Sequence, residues 1–256
     1  EATTFALISP SWLTSAAAVS SHDVSSARIT SSMMPGARRD RWLWLACLVA
    51  GVLVLIGCAL PTVEIGQDAI IGAGDTQRGF DYDRSVRFAT YLEPGAMLFV
   101  AGAAGLVLLA VIALARGSTP VLVVAAAAVS FALVVQVVRV TDELNWPDGG
   151  VYSCEKPRLE DCVPILAPAV RDLQEDIGRR PEAAEPGFEL LAGDGYRARG
   201  EGGWSFIAWS CAAAALVTAF GAFRLILRPV WAAVAVAAGA LVFLAVLFLR
   251  ALEGLE

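Results

Sequence analysis

The chain has 256 residues, 57% of them hydrophobic and 17% charged, with a mean hydropathy of +0.64 and a formal net charge of −6. That balance is too apolar for an ordinary soluble domain, and it offers no basic patch for nucleic acid. His22 is the only histidine, which removes most imidazole-based metal and acid–base chemistry.

Residues 1–32 are rich in Ser, Ala and Thr without sustained periodicity, the composition of a disordered segment. Phe5 to Val19 lacks a basic leader and is broken by Pro10, so it does not read as a signal peptide. Met33 or Met34, just ahead of Pro-Gly-Ala-Arg-Arg, is the more natural start.

Five uncharged runs then reach spanning length: Trp42–Leu60, Ala96–Ala115, Val121–Val138, Trp204–Phe223 and Val230–Leu249. Each is long enough, at about 1.5 Å per residue, to cross roughly 30 Å of hydrocarbon. The fold class expected is therefore an all-α integral membrane bundle of about five helices with a small extracytoplasmic loop cap. Small residues such as Ala101-Gly102-Ala103-Ala104-Gly105 allow close helix approach and favour a compact bundle. Trp42, Trp44, Trp204, Trp209 and Trp231 fall near helix ends, where an interfacial aromatic belt is expected.

Arginines near the helix ends give the orientation. Arg38, Arg39 and Arg41 precede the first run, Arg116 separates the second and third, and Arg224 and Arg228 separate the fourth and fifth. The positive-inside rule places these short segments in the cytoplasm. The N-terminus is then cytoplasmic, and the C-terminus faces outward. The domains follow: 1–40 as a disordered cytoplasmic segment, 41–138 as three transmembrane helices with an outward loop at 61–95, 139–203 as an extracytoplasmic loop, and 204–256 as two further helices. Eighteen of the nineteen basic residues are Arg, which reads as high-GC coding and a bacterial cell membrane.

Cys154 and Cys162 lie eight apart in the second loop, where an oxidising compartment allows a disulfide. Cys58 has two readings. Leu55-Ile56-Gly57-Cys58 resembles a lipoprotein processing box behind an Arg-rich leader, which would make Cys58 a lipidation site. The simpler reading is an uncleaved helix. Cys47 and Cys211 read as small buried hydrophobes. Asp75, Asp81 and Asp83, around Phe80 and Tyr82, read as solvated loop acids lacking the spacing of a calcium loop. Ala167–Arg180 begins with Pro168 and sets Val170, Leu173 and Ile177 on one face, an amphipathic helix able to pack on the bundle or on a partner. Pro181–Gly203, with its prolines, glycines and charges, reads as a tether.

The five runs hold no ionisable residue at depth. Ser130, Gln136, Ser210 and Thr218 are the notable polar side chains, with interhelical hydrogen bonding as their expected role. The chain carries no Walker loop, no G-x-S-x-G elbow, no H-E-x-x-H and no dinucleotide fingerprint. The expectation is a non-enzymatic accessory, scaffold or sensing protein, without cofactor or metal, acting through its outer loops. Its partners would be the bilayer and another membrane or extracytoplasmic protein, not nucleic acid. A small permease or transporter component is the alternative.

Overall fold

Runs of Ala, Val and Leu close their backbone hydrogen bonds within one segment, and here they form helices bounded by Pro and by charge. The computed structural model describes residues 41–72, 74–144, 151–152, 158–191 and 196–253. The segment 1–40, with Met33 and Met34, and Cys154 lie outside the described residues.

Helix α1 is Arg41–Ala59, α2 Pro94–Arg116 and α3 Pro120–Glu143. After the short cap helix α4, Ala167–Gly178, come α5, Gly202–Ile226, and α6, Pro229–Glu253. Pro begins α2, α3 and α6, where a missing N–H costs nothing. Thr119 caps α3 by accepting a bond from Leu122 N–H at 3.3 Å. By length and composition α1, α2, α3 and α5 are able to cross a membrane, and α6 is apolar over Pro229–Leu241.

These four helices close a ring. α1 packs on α2 and α5, α3 packs on the same two, and α6 packs on α5. Glycine sets the closest approach. A Cβ on Gly203 would stand 2.6 Å from the carbonyl oxygens of Gly57 and Pro61, so α1 and α5 meet backbone to backbone there. Val54, Leu106, Leu133 and Ile207 are buried along the axis. Trp204 does not lie in an interfacial belt. It is buried edge-on against Phe88 and Phe99, with centroids 6.3 and 6.0 Å away. Trp44 is buried too, whereas Trp42, Trp209 and Trp231 are exposed on the bundle surface.

The all-α expectation needs correction, because the two long connections fold together into a five-stranded antiparallel sheet. The first connection is not a loop: it forms a hairpin of β1, Val63–Ile71, and β2, Arg78–Val86. The second connection supplies β3 (Val151–Tyr152), β4 (Glu189–Leu190) and β5 (Tyr196–Gly200). The order is β2-β1-β5-β3, with β4 also paired to β1. Pro181–Gly203 is therefore not a tether, since it carries two strands and the buried Tyr196 and Ala198. The physical reason is period-two burial. Val63, Ile65, Gln67, Ala69 and Ile71 turn inward from β1, and β5 satisfies the free edge of that strand. Because strands from both long connections pair with each other, both connections sit at the same end of the bundle. The short turns at 117–119 and 227–228 lie at the other.

Candidate functional site

The cap joins the bundle through backbone groups that a helix end would otherwise leave unpaired. Cys58 O accepts from Ala89 N–H at 2.8 Å, and Pro61 O from Gly203 N–H at 3.0 Å. Thr62 N–H donates to Val86 O at 2.9 Å, and Glu201 N–H donates to Thr62 O at 2.9 Å. The sheet thus continues the helix ends.

α3 runs past the apolar stretch ending at Val138 and carries Glu143 into this joint. The side chain is buried, and both of its oxygens accept from Ile165 N–H, at 3.2 and 3.1 Å. Leu166 N–H adds a third bond at 3.0 Å. Tyr91 completes the arrangement, donating to Ile165 O and accepting from Ala169 N–H, each at 3.0 Å. The residue ahead of α4, Leu166, has no capping side chain of its own. Glu143 therefore holds the two amides just ahead of α4, and Tyr91 serves the Ala169 amide in its first turn. Burial raises the Tyr91 phenol.

The sheet has one face on the core and one toward solvent. On the inner face Val170, Leu173 and Ile177 of α4 are buried within the chain's own hydrophobic core, which includes Ile65, Ala69 and Tyr82. In place of the bundle or partner expected to cover that helix face, the structure lays it on the chain's own sheet. Arg84 of β2 pairs with Asp176 at 2.9 Å and Asp172 at 3.4 Å, and Arg180 lies over the Tyr82 ring at 5.0 Å.

The outer face gathers charge. Asp68 stands directly opposite Asp81, and Gly66 lies between Asp83 and Arg197. With no side chain on Gly66, Arg197 reaches across the strand, placing Nη2 2.7 Å from Asp68, 3.6 Å from Asp81 and 3.9 Å from Asp83. Desolvation first, then hydrogen bonding with Asp81, raises the Asp68 carboxyl, and Arg197 opposes the shift. Asp81 and Asp83 are thus strand residues, not loop acids, while Asp75 sits in a 3₁₀ turn, Gly74–Thr76. Among the described residues no group of three or more His, Cys, Asp or Glu is arranged to hold a metal.

Two of the polar residues at helix depth are bonded to backbone carbonyls. Gln136 Nε2 donates to Gly95 O across the α2–α3 contact at 3.1 Å. Thr218 donates to Ala214 O of its own helix at 2.8 Å. Ser130 and Ser210 are buried elsewhere on α3 and α5. Cys58 lies inside α1 with 0% exposure, and Cys47, Cys58 and Cys211 are buried free thiols. Cys162 closes a 3₁₀ turn, its N–H donating to Leu159 O at 3.0 Å. Its predicted partner Cys154 is outside the described residues.

No family model matches this chain, and neither a curated protein nor a solved structure is detectably similar to it. The cap thus combines a charged outer face with a buried Glu143 carboxyl at its joint to the bundle. Glu143 and Arg197 escape a sequence reading because their partners lie 22 or more positions away. The only local sign of Arg197 is a single arginine flanked by Tyr196 and Ala198.

Proposed function

We propose that this chain is a non-enzymatic accessory, scaffold or sensing protein of a bacterial cell membrane, acting through the cap at one end of its helical bundle. The N-terminus lies in the cytoplasm, the cap and the C-terminus lie outside, and a Cys154–Cys162 disulfide stiffens the cap. The observation that supports this most is the outer face of the sheet. Asp68, Asp81, Asp83 and Arg197 come from both long connections and are held on one solvent-facing surface by a joint that Glu143 closes. Such a surface recognises a partner by charge complementarity. Gln136 is already committed to Gly95, which weakens the permease reading.

A paired comparison tests this. Asp81→Lys with Asp83→Lys should abolish the cellular phenotype and the recovery of a co-purifying partner while the protein remains inserted. Gln136→Leu should leave both readouts near wild type. If Gln136→Leu abolishes function and the charge reversal does not, the permease reading replaces this one.

A further inference from the structure

At the end of the bundle away from the sheet, α1, α3 and α5 part to leave a cleft of about 210 Å³. Its walls are Trp44, Val123 and Val217, and its rim is polar, with Ser118, Thr119 and Arg224. Gly221 keeps the floor open, since a Cβ there would meet only Val123 at 3.4 Å and Leu43 at 4.0 Å. Arg224 stands at the mouth beside aromatic rings: its guanidinium lies 5.8 Å from the centre of Phe220, which is itself 6.0 Å from exposed Trp42.

We propose that this cleft binds one anionic phospholipid, with the phosphate at Arg224 and Thr119 and the upper part of an acyl chain against Val123 and Val217. The inference rests on the membrane placement of the four long helices and is independent of what the cap recognises. Three features select this occupant. The cleft is mainly apolar within, where the Thr218 hydroxyl is already bonded to Ala214 O, and polar at the rim, the polarity profile of a lipid entered from its headgroup. Its mouth lies where Trp42, Phe220 and Arg224 form an interfacial group of rings and cation. The end of α5 and the turn after it carry Arg224 and Arg228 without an acid, so the local field favours a net-anionic headgroup over a zwitterionic one. The cavity is smaller than the usual site of a drug-sized ligand, which suits one chain segment and not a bulky solute.

Native mass spectrometry of the full chain in non-ionic detergent tests the site, using an equal mixture of phosphatidylglycerol and phosphatidylcholine. The wild type should retain phosphatidylglycerol over phosphatidylcholine by about tenfold, because the choline cation cancels the headgroup charge that Arg224 selects. Arg224→Gln should remove that preference, and Gly221→Leu, which fills the cleft from its floor, should remove the retained lipid. Arg116→Gln, at the same end but outside the cleft, should change nothing. Millimolar inorganic phosphate should fail to displace the lipid, because it lacks the chain. A preference that survives Arg224→Gln, a lipid that survives Gly221→Leu, an equal loss in Arg116→Gln, or displacement by phosphate would each overturn the proposal.

Discussion

Glu143, on the last turn of α3, accepts a hydrogen bond at 3.0 Å from the backbone N–H of Leu166, which leads into α4. That side chain ties the end of α3 to the segment that enters α4. Glu143→Ala would leave the buried amides of Ile165 and Leu166 without an acceptor, at a cost of about 2–3 kcal/mol. Hydrogen exchange should show those two amides and α4 opening faster, with the helical bundle still protected. Unchanged exchange at Leu166 would contradict the anchoring role.

Gly203 and Gly202 are neighbours with opposite tolerances. A Cβ on Gly203 would stand 2.6 Å from two backbone oxygens, whereas one on Gly202 meets nothing within 4 Å. Gly203→Ala should force α1 and α5 apart and cost about 1–3 kcal/mol. Gly202→Ala should be neutral within about 0.5 kcal/mol. Thermal unfolding in detergent separates the two, and equal melting points would argue against backbone contact at Gly57.

On the outer face Asp81 faces Asp68 across the hairpin, and like charges so placed destabilise a sheet. The raised Asp68 carboxyl means that this cost is felt above the carboxylate range and fades as pH falls into it. Asp81→Asn should stabilise the cap by a few tenths of a kcal/mol, to about 0.5, near neutral pH and by less at about pH 4. Arg197→Ala should act the other way, destabilising by about 1 kcal/mol at low salt and less at high salt. Matched denaturation curves at two ionic strengths check both.

Orientation can be read directly with reporters. A phosphatase fused after Gly117 should be inactive, because Arg116 and the short turn place that site in the cytoplasm. A fusion after Leu191, within the cap, should be active. Activity at Gly117 would invert the topology.

The membrane class was legible in residue order alone. Hydrophobic burial in a bilayer is a property of a continuous run, so Trp42–Leu60 or Val121–Val138 needs no distant partner to declare itself. The α4 helix was legible for a similar reason, since Pro168 and the spacing of Val170, Leu173 and Ile177 are local. The sheet was not. In β1 the inward series is interrupted by Gln67, and the strand completing its edge, β5, comes more than a hundred residues later. Strand pairing is a long-range choice, made when both connections reach the same end of the bundle, and nothing in 61–95 or 181–203 states it separately. The same distance hid Glu143 and Arg197, whose roles are set by Leu166 and Asp68. It also decided that the apolar face of α4 is covered by the chain's own sheet, because only the folded joint brings that face onto β1 and β2.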